Sequence, residues 1–405
     1  MRKLRKRIVR VGVDLGKTVI QVHAVADDGT VIAAKKLPRS GFLSWCSELP
    51  QGCLIGIEAC SSAHYWAREL IKLGLDARLI SPSFVGPYRM SGKTGKSDAN
   101  DAAAVCEAAS RPQMRFVPVK TPAQQSWCAV HSLREGYIEE RGACMNRARG
   151  ILSEFGILFP LSTERFHGEL LKLLRQEDSE LPSLARMALR RCVVHFDAIE
   201  RQIAWCTGEI ERHAATDPRA QLALKVFGVG PITASALVAS VGDMNQFKNG
   251  RQFSAWLGLV PRTSSTGGKQ RLGSITKRGD AYLRKMLVLG GRAALTAVSR
   301  RDDALSKWAV QLRARVGWSK AMIAIANRNA RTLWCVLSSH GGRSADPPGR
   351  RWPQAGAGDS ENSKCRLHGD QPSVTSLESE YPTAQPAWPV KARRKVALAT
   401  DGIDS

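Results

Sequence analysis

The chain has 405 residues, 43% of them hydrophobic, and its 60 Lys and Arg residues against 36 Asp and Glu residues give a formal net charge of +24. It is long enough for two or three domains, and no apolar run could span a bilayer or serve as a signal peptide, so we expect no membrane association. The ten scattered cysteines form no C-x-x-C pair, which argues against a zinc site or a disulfide framework and favours a reducing cytoplasm. The surplus of basic residues points to nucleic acid as a partner.

The first part of the chain alternates strands and helices. Residues 8–37 predict a β-hairpin with a turn at 27–30 and a further apolar run, and residues 53–59 predict a buried strand. A helix ending near Gly74, another strand and an Ala-rich helix over residues 97–110 follow. This alternation predicts an α/β domain over residues 1–118.

The rest of the chain has mostly helical periodicity. Residues 119–219 predict a helical or coiled-coil arm, which would be a spacer, an oligomerisation arm or a plain helical core. One apolar stripe of this arm consists of Phe196, Ile199, Ile203, Cys206 and Ile210. Residues 220–340 predict a mainly α C-terminal domain, and Gly, Pro and Ser dominate a low-complexity tail over residues 341–405, which we expect to be mostly disordered.

The C-terminal domain begins with a helix, a Gly-x-Gly turn and a second helix, the pattern of a helix-hairpin-helix. Its turn, with Gly228 and Gly230, would present backbone N–H groups at a helix N-terminus and so bind a phosphate. A short connection between two core helices would have the same sequence pattern, so both interpretations stay open at this point.

Four acidic residues stand where a metal site could form. Asp14 and Glu58 end two predicted strands, and Asp98 and Asp101 share one face of the Ala-rich helix. Neighbouring strands would bring the first two carboxylates together, and such oxygen ligands suit Mg2+ or Mn2+, a pair of which supports phosphodiester chemistry. Alternatively, Asp98 is a helix N-cap, Asp101 is an N3 acid that complements the helix dipole, and Asp14 is a turn residue.

A second cluster joins hydroxyl groups to cations. A loop between two apolar helices places Ser265 and Thr266 before a Gly-Gly pair. The basic residues around them are Arg262, Lys269, Arg271, Lys277 and Arg278. A hydroxyl that attacks a phosphodiester needs a flexible approach and cations for the developing charge, and this segment offers both. A loop that only grips phosphates would have the same composition.

Taken in order, these motifs resemble one family. The stretches "GVDLGK", "GIEA", "KSDANDA", "FGVGPITASAL" and the segment from "FSAWLGLVPR" to "KRGDAYLRKML" are similar to motifs of the DEDD transposases of bacterial insertion sequences, the IS110/IS1111 type, which includes pilin-gene inverting recombinases. The resemblance covers residues 8–118 and roughly 220–340.

The resemblance implies a RuvC-like, RNase-H-fold N-terminal domain. In it, Asp14, Glu58, Asp98 and Asp101 would hold Mg2+ or Mn2+, and the C-terminal transposase domain would supply a serine that forms a transient phosphoserine link to DNA. It further implies a bacterial cytoplasmic protein that acts on element ends and target DNA. A structured non-coding RNA would bridge the two DNAs, and the chain would form homodimers that pair into homotetramers.

The chain departs from the family at the nucleophile. The family serine immediately precedes the glycine pair, where this chain has Thr266, and Ser265 stands one position earlier. The primary hydroxyl of serine is less hindered, which favours Ser265, whereas Thr266 is the positional match.

We therefore expect an insertion-sequence transposase that cleaves DNA and exchanges strands. Two alternatives differ in their chemistry. A RuvC-like structure-specific nuclease would use the acids without a covalent intermediate. An inactive copy would bind nucleic acid in a salt-sensitive way without metal-dependent cleavage.

Overall fold

A computed structural model describes residues 7–89, 97–159, 162–176, 181–266 and 269–340 of the chain. The chain divides into two compact units, the first containing Met1–Ala129 and Glu211–Ser344 and the second containing Val130–Ile210. The tail predicted over residues 341–405 lies outside the described residues.

The first unit contains a mixed sheet. Its strands are β1 (Arg10–Leu15), β2 (Val19–Val25), β3 (Val31–Pro38), β4 (Leu54–Glu58), β5 (Asp76–Ile80) and β6 (Phe116–Val117). Their order across the sheet is β3-β2-β1-β4-β5-β6, with β1, β4 and β5 parallel and the other pairs antiparallel. The predicted α/β domain and its N-terminal hairpin are therefore confirmed.

Apolar β-branched side chains build the core of this sheet. Val13, Ile20, Ile55 and Ile57 are fully buried, as expected for residues that pack well on a pleated surface. The helices around the sheet are α1 (Arg39–Ser47), α2 (Ala63–Lys72), α3 (Pro82–Val85) and α4 (Asp98–Ala109), with a 3-10 helix at Gly86–Tyr88. The predicted Ala-rich helix is α4, whereas α1 had no prediction.

Long helices form the second unit and extend beyond it. These helices are α5 (Pro122–Ser153), α6 (Thr163–Arg175) and α7 (Ser183–Thr216). Every member of the apolar stripe predicted on α7 is buried, so this stripe is a helical core. Another face of α7 leaves large apolar side chains exposed, namely Leu184, Met187, Val194 and Trp205.

The C-terminal part of the first unit is mainly helical. Its helices are α8 (Pro218–Leu224), α9 (Pro231–Val241), α10 (Gly250–Trp256), α11 (Ala281–Ala297), α12 (Ala304–Val316) and α13 (Trp318–His340), with 3-10 helices at Met244–Gln246 and Val298–Arg300. Over the described residues, no helix combines the length and the apolar character that a membrane span needs.

The segment predicted as a Gly/Ser/Thr/basic loop is instead a β-hairpin. Strands β7 (Pro261–Thr266) and β8 (Lys269–Ile275) pair antiparallel in a separate two-stranded sheet. The prediction of a loop was wrong because it weighed the small and basic residues and overlooked the hairpin pattern. A Gly-Gly pair between two strand-length segments is a common two-residue hairpin connection.

Candidate active site

The strand register brings Asp14 and Glu58 to the same end of the sheet. β1 and β4 are parallel neighbours, and Val13 pairs with Ile57. Asp14 and Glu58 each follow one of these paired residues and are only partly buried. The backbone thus places the two acids side by side at the strand ends, as predicted from the sequence.

Two glycines let α4 lie directly on these strands. Gly12 and Gly56 are register partners; a Cβ atom on Gly12 would overlap the carbonyl oxygen of Ala102, and one on Gly56 would lie 2.8 Å from the Cβ of Ala109. Side chains alternate along a strand, so the two acids, each two residues further on, share the α4 side of the sheet with these glycines.

Both acids influence the Cys60 thiol electrostatically. Burial raises the pKa of Cys60, and the negative charges of Glu58 and Asp14 raise this pKa further. The electrostatic influence of both carboxylates on one thiol agrees with their shared position at the strand ends.

Asp101 joins this cluster through Arg89. The Asp101 side chain is buried, and its Oδ1 lies 2.6 Å from Arg89 Nε, while Arg89 Nη2 donates a hydrogen bond of 3.4 Å to Glu58 Oε2. Among the described residues, Asp101 Oδ1 and Arg89 Nε are close but have no hydrogen-bond partner, so their contact is an ion pair with poor donor alignment. The guanidinium therefore lies between two of the four predicted acids.

Asp98 contacts a different cation. Its side chain is 67% exposed and its Oδ2 lies 3.8 Å from Nζ of Lys36, whose side chain is also exposed. The suggestion that Asp98 is the N-cap is wrong, because Ser97 Oγ caps α4 by accepting a hydrogen bond from the Asn100 N–H. Asp101 accordingly stands at the fourth helical position rather than at N3.

The donor chemistry of the acids fits a hard divalent cation. Carboxylate oxygens are the preferred ligands of Mg2+ and Mn2+, and Asp101 Oδ1 is a buried oxygen that accepts no hydrogen bond from any described residue. In this conformation, the described part of the chain holds no group of three or more Asp, Glu, His or Cys side chains close enough to bind one ion. Arg89 occupies the space between Glu58 and Asp101 instead.

The hairpin of β7 and β8, which carries Ser265 and Thr266 and is here called the hydroxyl hairpin, has two distinct faces. Its register pairs Ser264 with Arg271 and Thr263 with Leu272, and paired residues point to the same face. Ser265 lies two residues after Thr263 and therefore shares a face with Leu272, whose side chain is 69% exposed. The Ser265 face thus carries an apolar side chain.

Thr266 lies on the other, basic face. It follows Ser264 by two residues and therefore shares the face of Arg271. A Cβ on Gly273 would lie 3.8 Å from the Cβ of Arg262, which places Arg262 on this face as well. The structure thus puts two of the predicted cations on the side of Thr266. Lys269, another of them, pairs with Thr266 through the backbone.

The turn between β8 and α11 presents Lys277 and Arg278. Both residues are exposed, and Lys277 has φ of 55°, a left-handed conformation that is uncommon for a side-chain-bearing residue. Its N–H donates to the Gly258 carbonyl over 3.1 Å, and Arg284 Nη1 donates to the Arg278 carbonyl over 2.7 Å. The backbone of this basic turn is held in place while its side chains face solvent.

The glycines predicted to bind phosphate lie in the turn between α8 and α9 and differ from each other. Gly228 has φ of 85°, and a Cβ there would lie 2.8 Å from the Gly290 carbonyl oxygen, so this glycine permits close packing against α11. Gly230 is exposed at the start of α9, and a Cβ there would meet no atom within 4 Å. Phosphate binding at this turn stays a prediction, and Gly230 is the accessible position.

Two residues beside the acids, Arg89 and Cys60, were not predicted from the sequence. Cys60 could have been found, because it stands two residues after Glu58 in the segment that leaves the strand. Arg89 lies 31 residues beyond Glu58, and no spacing or motif in the sequence connects the two.

Comparison with known proteins gives matches along most of the chain. A family model described as a transposase, of the DEDD type, matches residues 11–157, and one described as the transposase IS116/IS110/IS902 family matches residues 220–308. A Pseudomonas aeruginosa protein named "Probable family 20 transposase" is 46% identical over 81% of this chain and 96% of its own length.

Two further relatives come from named insertion sequences. The transposase for element IS1111A of Coxiella burnetii is 37% identical over 83% of this chain and 92% of its own length. The transposase for element IS1328 of Yersinia enterocolitica is 35% identical over 82% of this chain and 97% of its own length.

Proposed function

Because the chain belongs to the IS116/IS110/IS902 family of transposases and acts on DNA, we propose that it excises and inserts its element with a metal-assisted acid site and a covalent hydroxyl nucleophile. The observation that carries the proposal is the shared strand end of Asp14 and Glu58 beneath α4.

The acid site would be the metal-binding half of the chemistry, on a RuvC-like, RNase-H-type sheet. The order β3-β2-β1-β4-β5, with three antiparallel strands followed by parallel ones, supports that fold. Asp14, Glu58, Asp98 and Asp101 would hold Mg2+ or Mn2+, with Asp98 turning away from its exposed partner Lys36. When bound, these ions supply charge stabilisation for the attacking and leaving oxygens of a phosphodiester.

Thr266 is the better candidate for the nucleophile. Its hydroxyl would attack a DNA phosphorus, forming an Oγ1–P bond while the P–O bond to a deoxyribose breaks. The hydroxyl proton leaves to solvent, and the departing oxygen takes up a proton. The developing negative charge then lies on the face that carries Arg262 and Arg271, whereas the Ser265 face carries Leu272. The earlier preference for Ser265 rested on hydroxyl accessibility alone.

The remaining basic residues would grip nucleic acid. Lys269, Lys277 and Arg278 follow the nucleophile along the chain, and Gly230 leaves open space at the start of α9. The net charge of +24 also suits a second polyanion, and we propose a structured RNA that bridges donor and target DNA. Gel-shift titration with the element's own non-coding RNA tests this, and equal affinity for an unrelated RNA of the same length would exclude specific guidance.

Self-association would use the exposed apolar face of α7. On this face, the exposed fractions of Leu184, Met187 and Val194 are 73%, 54% and 62%. Together these residues form an apolar patch rather than isolated apolar side chains on the surface. We propose that this face pairs protomers into homodimers, which then form homotetramers. Sedimentation velocity of the purified protein tests the assembly, and a monomer at every concentration would contradict it.

The decisive experiment is element excision in cells, scored as circular junctions. We expect Asp14→Asn and Thr266→Ala to abolish excision, while Ser265→Ala and Thr266→Ser retain it. Labelled DNA should remain attached to the wild-type protein on a denaturing gel and should be absent with Thr266→Ala. Thermal melting of each variant provides the folding control.

Other outcomes select the alternatives. Loss of excision with Ser265→Ala but not with Thr266→Ala would make Ser265 the nucleophile. Excision that survives both hydroxyl variants but not Asp14→Asn would leave a metal-dependent nuclease. Salt-sensitive DNA binding by a wild-type protein that never cleaves would identify an inactive copy.

A further inference from the structure

Arg89 holds an unusual position for a structural ion pair. Its guanidinium contacts carboxylates from two separate elements, Glu58 at the end of β4 and Asp101 in the first turns of α4. The side chains of Arg89, Glu58 and Asp101 are 29%, 19% and 9% exposed, so all three charges are shielded from water. Without this cation, two poorly hydrated carboxylates would repel each other.

The contact between Arg89 and Asp101 is short, but its hydrogen-bond geometry is poor. Arg89 Nε lies 2.6 Å from Asp101 Oδ1, yet neither atom has a hydrogen-bond partner in the part of the chain that the structure describes, and the bond to Glu58 is long at 3.4 Å. Arg78 on strand β5 shows the contrast, because it donates to Asp76 Oδ2 from both Nε and Nη2, at 3.1 and 2.7 Å. Arg89 thus supplies charge without strong directional bonds, so another cation that replaces this charge can take its place.

We propose that Arg89 is the counter-ion of the metal-free acid site and that a divalent cation displaces it. The inference rests on the proposed function, since it assumes that these acids bind metal. Glu58 and Asp101 gain oxygen-to-metal contacts as the guanidinium leaves. An arginine side chain cannot leave by losing its proton, so it must swing away. Arg89 is therefore a positioning residue that keeps the acid site assembled before metal arrives.

If a metal ion displaces Arg89, substitution of Arg89 should lower the stability of the metal-free protein and tighten its binding of metal. Arg89→Gln removes the cation that competes for the two carboxylates and should tighten Mn2+ binding about tenfold. The same variant should melt at a lower temperature than the wild type without metal, and the difference should vanish at saturating Mn2+. Calorimetric titration of the full-length protein with Mn2+, and thermal melting with and without it, measure both effects.

Matched variants separate this role from general stability. Arg78→Gln breaks a comparable pair away from the acids and should lower the melting temperature without changing Mn2+ affinity. Arg89→Lys keeps a charge but cannot reach both carboxylates equally, so it should tighten binding in the same direction by a smaller factor. This milder variant also serves as the test if Arg89→Gln does not fold.

Each remaining outcome has a distinct meaning. Mn2+ affinity that is unchanged or weaker in both Arg89 variants, while Asp14→Asn abolishes binding in the wild-type background, would overturn the displacement and leave the proposed function intact. No Mn2+ binding by the wild type at all would overturn the metal role of the acids, and the displacement with it.

Discussion

The acid site and the hydroxyl hairpin belong to regions with opposite packing. At the acid site, α4 lies against the glycines of two buried strands, so the backbone that carries Asp14 and Glu58 is fixed by the core. In the hairpin, every residue of β7 is exposed and only strand pairing sets its faces. Folding therefore fixes the backbone of the acids in advance, whereas packing leaves the side chains of β7 unconstrained.

The largest effect should come from filling the space under α4. Gly12→Val would force a side chain into the backbone of α4 and should lower the free energy of unfolding by about 3 kcal/mol or more, or prevent folding. Urea denaturation measures it. The control is Gly86→Ala, where a Cβ meets no atom within 4 Å and which should change stability little. A tolerated Gly12→Val would show that α4 is not held tightly on the sheet.

A smaller effect should follow a drop in pH, through protonation of His64 in helix α2. Burial, with the positive charges of Lys120 and Arg68, lowers the pKa of His64 from 6.5 to about 4, and its Nδ1 accepts a hydrogen bond from the Lys120 N–H. The unfolded chain takes up more protons between these two pKa values, so stability falls as the pH drops from 7 towards 4. At pH 5 the loss should be about 1–2 kcal/mol.

The matched variant for this pH effect is His64→Asn. Asparagine keeps an acceptor for the Lys120 N–H but does not titrate, so the melting temperature should fall less steeply between pH 7 and 5. Part of the slope should remain, because burial also lowers the pKa of His213. If the melting temperature depended on pH identically in wild type and variant, protonation of His64 would not be a cause of the loss of stability.

The smallest effect should come from the hairpin. Leu272→Ala removes an exposed side chain and should change the free energy of unfolding by no more than about 0.5 kcal/mol, whereas Leu79→Ala in the fully buried core of β5 should cost about 2–5 kcal/mol. Thermal melting of the two variants side by side measures the contrast. A comparable loss for both would mean that the hairpin face is packed, and the comparison between the regions would fail.

The sequence predicted the acid site better than the hairpin for a physical reason. Buried strands have apolar runs that end visibly, so the positions of Asp14 and Glu58 at strand ends could be inferred. Helical spacing correctly placed Asp98 and Asp101 near one another on α4. It could not reveal that only Asp101 turns towards Arg89, because packing across the sheet decides this.

The hairpin and Arg89 were missed for different reasons. Exposed strands lack an apolar pattern, so Ser, Thr and Gly in β7 and β8 were interpreted as a loop. The approach of Arg89 to the acids depends on tertiary structure that joins distant parts of the chain. The faces of Ser265 and Thr266 likewise needed the strand register, which only the structure supplies.

The paired glycines beneath α4 also bear on how copies of the element decay. Every missense change of a glycine codon introduces a side chain, and neither Gly12 nor Gly56 has room for one. A single nucleotide change at either codon can therefore silence a copy that still encodes all four acids and both hydroxyls. A genomic survey that scores copies as active from these six residues alone would count such silent copies as intact.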